Sequence, residues 1–254
     1  MAVDRRAFLL QSARLAAWYG VFELAHGTSA WAQEMNSVAG RWAKELGEIC
    51  AAVRAGRLEP LEWQKAIERL HDRVPLEEIV KFVDLDAVLT RLQPPKEKLG
   101  AVQDVPWPEK QAMAAGFGHK LFVYRRGACT PPHAHNHLVS AHLVLKGNIR
   151  TRTFDRLADL EQSILLHPTG DRVVEPGQTV SMSDERDNVH WFVGMSEVSV
   201  SFDVPVGDIS PAKQYRHPAE AMNQIFLDPT VPARSDGRIE APIIPFRESV
   251  KRFA

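Results

Sequence analysis

The chain is short of several things, and each shortage excludes something. Two cysteines in 254 residues cannot build a disulfide framework or a four-thiolate metal site. A formal charge of −1, with no run in which lysine and arginine interleave with aromatics, offers no positive face to a phosphate backbone, so nucleic acid is not an expected partner. The moderately apolar stretch near the N-terminus is interrupted by Arg14, Glu23 and His26, which excludes a membrane span of about 20 apolar residues. What remains is a chain 44% apolar and 25% charged, rich enough in apolar residues for a sizeable core. Of its 17 prolines, 11 fall in the second half and, with the glycines set among them, point to short strands and turns there.

The first segment reads as an address. Asp4-Arg5-Arg6-Ala7-Phe8-Leu9-Leu10 sets paired arginines ahead of an apolar run that ends in Ala30-Trp31-Ala32, and the small residues at 30 and 32 suit cleavage after Ala32. This resembles a twin-arginine signal; the alternative is an amphipathic first helix. The resemblance implies a periplasmic protein carried across the inner membrane already folded, with the twin-arginine export machinery as a partner. An oxidising compartment would permit a Cys50 to Cys129 disulfide, and two buried free thiols fit equally well.

Beyond the signal, Val38, Trp42, Leu46, Ile49 and Val53 recur at spacings of three and four while Arg41, Lys44, Glu45 and Glu48 fall on the opposite face, so the spacing predicts a helix that ends at Gly56. Pro60 opens a second helix with Trp63, Ile67, Leu70 and Val74 on one stripe. Pro75 opens a third, running through Ile79, Val80 and Val83 toward Leu89 and Leu92. Residues 36–92 thus form a helical layer, and Pro94, Pro95, Pro106 and Pro108 make 93–110 an irregular linker or the entry to the barrel.

From about residue 114 the pattern becomes short β-branched and aromatic runs, at Lys120 to Tyr124, Ser140 to Lys146, Asn148 to Phe154, Thr179 to Met182, His190 to Val193 and Val198 to Val204. Regular short strands with Gly127, Gly147, Gly170 and Gly177 in the gaps predict a sandwich or barrel, and Gly147-Asn148 a tight hairpin. A short helix is expected at 246–252.

The chemistry gathers in one segment, where four of the ten histidines (133, 135, 137 and 142) fall within ten residues. On an extended strand, residues i and i+2 point to one face about 6.6 Å apart, so His133 and His135 can converge on an ion. His190, on a strand leaving a polar loop, supplies a third ligand. Three neutral imidazoles suit Fe, Mn, Zn, Ni or Cu and leave positions open for water or substrate. His137 falls where a kink is needed and reads as a loop residue.

These residues resemble the first cupin motif, in which a Gly is followed after five residues by His-x-His, after three or four more by a Glu, and after six more by a Gly. Gly127, His133, His135 and Gly147 match in register, and His190 after Gly177 matches the second motif. The resemblance covers roughly residues 114–206 and implies one divalent metal per chain inside a small double-stranded β-helix barrel. The expected fold is therefore mostly β, a single jelly-roll-like cupin barrel with an N-terminal α-helical layer. Its segments are a signal at 1–32, a helical region at 33–100, the barrel at 101–210 and a C-terminal extension at 211–254 packing on the barrel.

Where the motif has Glu, this chain has Ser140. Without that anion the ion keeps its full +2 charge in a low-dielectric interior, which favours an anionic substrate or an oxygen species. A three-His site without Glu resembles the thiol dioxygenases, cupins that use iron, yet Ser196, Tyr215 and His217 do not form the Ser-His-Tyr triad of those enzymes. His142, two residues beyond Ser140 and on its face, reads either as a fourth ligand, as a proton-transfer group or as an ordinary barrel histidine. Arg150 and Arg152 alternate along the next strand and would orient a carboxylate if they line the barrel; the alternative is a solvated outer face. Trp191 is expected in the pocket wall with Ser140, and Phe192 in the core.

The function these readings favour is a periplasmic dioxygenase-type oxidoreductase, with Fe favoured, that acts on a small anionic molecule with O2 and uses His142, Arg150 and Arg152 as catalytic groups. The alternatives are a metal-dependent isomerase or hydrolase, and a non-catalytic ligand-binding or sensory cupin. A homodimer is left open.

Overall fold

In the computed structural model, residues 37–91, 98–105, 117–219 and 223–254 are described. The export signal at 1–32 and most of the 93–110 linker lie outside the described residues. The first helix, α1 (Val38–Arg54), begins at Ser37, whose side chain accepts a bond from the Gly40 amide at 2.9 Å, a cap worth about 1 kcal/mol. The second, α2 (Pro60–Asp72), starts on Pro60, whose missing N–H costs nothing in the first turn. The third expected helix is two, α3 (Leu76–Phe82) and α4 (Leu85–Arg91), because Asp84 between them takes a left-handed φ of 51° that a helix cannot contain. No helix among the described residues is long and apolar enough to cross a membrane.

Twelve strands follow among the described residues: β1 (Ala101–Asp104), β2 (Lys120–Arg125), β3 (Cys129–His135), β4 (Leu138–Lys146), β5 (Ile149–Asp159), β6 (Ser163–Val174), β7 (Thr179–Met182), β8 (Val189–Gly194), β9 (Val198–Asp203), β10 (Val206–Gly207), β11 (Gln224–Phe226) and β12 (Ile239–Pro242). They make two six-stranded antiparallel sheets. Sheet one runs β1-β2-β9-β4-β10 with β7 also on β4, and sheet two runs β11-β3-β8-β5-β6-β12. The mostly β barrel with a helical layer is therefore present. Gly147, in the β4–β5 hairpin, takes a φ of 63°, and a Cβ there would collide with the Val198 carbonyl, so both the turn and its neighbour require glycine.

The central strands of sheet one, β4 and β9, are buried on both faces, which sets their parity. Val139, Ala141, Leu143 and Leu145 of β4, with Val200 and Phe202 of β9, share one core with Trp42, Leu46, Trp63, Ile67 and Leu70 of the helical layer. The alternate residues, Ser140, His142 and Val144 of β4 and Ser199, Ser201 and Asp203 of β9, then face the other way, into the barrel. Burial of a Leu or Ile side chain contributes about 1.5–3 kcal/mol, so slipping either strand by one residue would forfeit several such terms at once.

The chain from 211 onward does more than pack on the barrel. Its β11 extends sheet two beyond β3 and its β12 extends it beyond β6, while the last helix, α5 (Phe246–Phe253), rests on the outer face. Phe253 meets Trp191 edge-on at 5.0 Å and Phe246 meets Phe226 at 5.0 Å. The two cysteines do not pair: Cys50 lies in the helical core, and the buried Cys129 thiol donates to the Phe253 carbonyl at 3.1 Å.

Candidate metal centre

His133 and His135 stand on one face of β3, and β3 pairs with β8 so that His133 lies directly opposite His190. The three ring centres are 4.2, 4.7 and 5.3 Å apart, and one ligand nitrogen from each ring lies within 4.8 Å of the others. All three side chains are buried. Burial is the main force holding their basicity down: His135 falls to about 4, while His133 and His190 lie well below the ordinary imidazole value, with their histidine neighbours adding to the effect. They are therefore neutral at pH 7.

Backbone carbonyls decide which nitrogen is free. His133 Nδ1 is 2.8 Å from the Pro131 oxygen and His135 Nδ1 is 2.7 Å from the Asn223 oxygen. A carbonyl only accepts, so each Nδ1 carries the proton and each Nε2 presents a lone pair. The two Nε2 atoms then face one another at 3.1 Å with no proton between them, an arrangement that is repulsive unless a cation takes both lone pairs. Two nitrogens about 2.1 Å from one ion and subtending roughly 95° are about 3.1 Å apart, so the donor set fits a mononuclear transition metal. The ligand strand is further tied down by Asn188 Nδ2, which donates to the His135 carbonyl at 3.1 Å, and by Arg156, which reaches the same carbonyl at 3.2 Å.

The facing wall comes from sheet one, and among the described residues none of its groups joins the three-His set. Ser140, at the position of the missing Glu, donates to Asp203, and Asp203 Oδ1 lies 3.4 Å from His142 Nε2. Burial raises the Asp203 carboxyl above its usual range, against the pull of His142 and Ser140, and burial likewise lowers His142, against the pull of Asp203. Asp203 and Lys120 were not singled out in the sequence. The strand pattern Ser199-x-Ser201-x-Asp203, polar on one parity, is the signal that a polar interior would have given.

Between the walls is a cavity of about 90 Å³, lined by the three imidazoles, Ser140, His142 and Asp203, with Phe122, Phe192 and Lys120 among its other lining residues. Three expected residues are elsewhere. Trp191 sits on the outer face, under the Arg152 guanidinium at 4.3 Å and against Phe253, and Arg150 and Arg152 both bond Asp171 there. The reason is parity: the register sets His190 opposite Thr153 and Trp191 opposite Arg152, so once His190 points inward, Trp191, Arg150 and Arg152 must point out. His137, with a φ of 54°, makes the β3–β4 turn. Ser196, Tyr215 and His217 are engaged separately: Ser196 accepts from the Asn148 amide, Tyr215 lies beneath Arg156, and His217 bonds the Leu160 carbonyl.

No protein-family model and no curated protein matches the sequence significantly. Among solved structures the chain is similar over part of its length to oxalate oxidase, at 18% identity over 47% of this chain and 57% of that chain with a TM-score of 0.35. It is also similar to a cupin superfamily protein from Desulfitobacterium hafniense DCB-2, at 13% identity over 47% of this chain and 88% of that one with a TM-score of 0.32. KdgF from Halomonas sp. matches at 13% identity over 49% of this chain and 94% of that one, TM-score 0.33. The chain spans 57% of the oxalate oxidase chain it matches. At these values the likeness assigns no residue a role.

Proposed function

We propose that the protein is a periplasmic mononuclear metalloenzyme, a dioxygenase-type oxidoreductase acting on a small anionic organic molecule. The observation that carries the reading is the pair of deprotonated Nε2 atoms at 3.1 Å beside His190, with no carboxylate among the ligands. His133, His135 and His190 would hold one divalent ion; iron is favoured, and manganese, zinc, nickel or copper also suit imidazole donors. A redox-active ion there supplies Lewis acidity and one-electron chemistry toward oxygen.

The chain's own residues do the rest. Lys120 is the cation on the cavity wall and takes the orienting role expected of Arg150 and Arg152, placing one carboxylate of the substrate. Phe122 and Phe192 keep water from the reacting atoms. His142, held by Asp203, exchanges a proton with the substrate from the wall facing the three imidazoles. A cavity of about 90 Å³ has room for about three waters, so the buried part of the substrate is only a few heavy atoms.

Metal analysis of protein from its native host, followed by oxygen uptake on adding short hydroxy- and keto-carboxylates, tests the reading. Iron or manganese with uptake supports it. Zinc without uptake turns it to the metal-dependent isomerase or hydrolase, which the buried His142–Asp203 pair also suits as a proton-moving dyad. Tight retention of a small molecule with no turnover turns it to a binding protein. Export rests on the paired arginines: Arg5→Lys with Arg6→Lys leaves an uncleaved precursor in the cytoplasm, and normal processing at Ala32 overturns the twin-arginine reading.

A further inference from the structure

His142 is close enough to the three-His set to compete for the ion, yet the structure directs it elsewhere. Its ring centre is 6.2 Å from that of His190, whereas the three imidazoles lie 4.2 to 5.3 Å apart. Both of its nitrogens are engaged by β9: Nε2 lies 3.4 Å from Asp203 Oδ1 and Nδ1 lies 3.2 Å from Ser201 Oγ. Asp203 is in turn held by the Ser140 hydroxyl, and all four side chains are buried. A neutral imidazole with a free lone pair is a better ligand than water for a late first-row ion, so a histidine about 1 Å beyond ligand spacing stays off the metal only while something else holds it.

We propose that Asp203 is a positioning residue that keeps His142 off the metal, so that the centre retains three protein ligands and its remaining positions stay open. The inference rests on the three-His reading above. It also gives the substitution at position 140 a purpose. A Glu there would itself fill a coordination position; the serine instead fixes a carboxylate one strand away, where the charge serves the histidine and not the ion.

The test uses the full chain loaded with Cu²⁺ or Co²⁺ and reads spectra and affinity, not turnover. The nitrogen hyperfine pattern of the copper protein counts coordinated imidazoles. Three are expected in the wild type and in Asp203→Asn, which keeps an oxygen toward His142. Four are expected in Asp203→Ala, with Co²⁺ affinity raised roughly tenfold, the scale on which outer-shell partners act. Adding His142→Gln to Asp203→Ala should return the count to three and the affinity to the wild-type value. Should Asp203→Ala fail to fold, Asp203→Thr, whose hydroxyl is one bond too short to reach His142, is expected to give the same four-nitrogen pattern. Four nitrogens in the wild type, or three with unchanged affinity in whichever of Asp203→Ala and Asp203→Thr folds, would overturn the inference while leaving the three-His centre standing. A wild type that binds neither ion overturns the metal reading itself, and the inference with it.

Discussion

The barrel interior buries four histidines, and the seam between the helical layer and sheet one buries a fifth, His71. Burial lowers the basicity of all five, His71 to about 3. There the likeness ends. His71 has one contact through Nδ1, to Thr179 Oγ1 at 3.0 Å, and lies 6.0 Å from Trp42; its Nε2 meets no polar partner among the described residues. In the barrel, backbone carbonyls turn two Nε2 lone pairs onto each other across 3.1 Å. A buried neutral histidine is therefore not in itself a site. What separates a ligand from a packing piece is where the second nitrogen points and what else points there.

The comparison can be broken from either side. The largest effect expected is on the metal: His133→Ala, His135→Ala and His190→Ala each abolish stoichiometric loading, by more than the roughly 10–100-fold that loss of an outer-shell partner costs, while the barrel stays folded. Metal content against circular dichroism checks it, and full loading of the His190 variant would remove that residue from the set. Next in size, Ile67→Ala in the helical layer is expected to cost about 2–5 kcal/mol in chemical denaturation, since the side chain is fully buried in the core it shares with sheet one, and to leave metal per folded chain unchanged.

The pH dependence of the metal-free protein sharpens the contrast further. His71 is neutral when folded and takes a proton below about pH 6.5 when unfolded, so the unfolded state binds the extra proton and stability is lost as pH falls from about 6.5 toward about 3. His71→Gln should make the fall from pH 6 to pH 4 shallower by about 1.4 kcal/mol per pH unit; an unchanged slope would show that His71 is protonated in the fold. Smallest of all, Arg150→Ala and Arg152→Ala should leave metal content, anion binding and melting temperature unmoved, because both side chains belong to a surface cluster around Asp171.

How much of this was readable in the sequence depended on whether one face or two are buried. The helices were readable from single apolar stripes bounded by Gly56, Pro60 and Pro75. The i, i+2 spacing of His133 and His135 announced a shared face without any structure, and His190 followed from the second motif. The β6 strand was missed because its second half is solvated and carries Pro168 and Gly170, and the C-terminal strands because they are short and set among prolines. Arg150, Arg152 and Trp191 were misplaced because alternation gives two faces but not which is inner; only pairing with His190 decides that. Asp203 lies inside the expected strand Val198 to Val204, whose other residues are apolar or small, so nothing in the one-dimensional pattern marks it as part of a cavity wall.

The 2.7 Å contact between His135 and the Asn223 carbonyl joins residues 88 apart in the chain, and β11 beside it pairs Phe226 with His133. Synthesis adds about 5–20 residues per second, so for about 4–18 s after His135 is made the atom that fixes its tautomer does not yet exist. During that interval either nitrogen of the ring can carry the proton, and β3 has an open edge. The three-His site is thus completed well after its ligands are made, and a chain cut short after the barrel would own all three imidazoles, with His133 still aimed by Pro131, but would lack the carbonyl that aims His135.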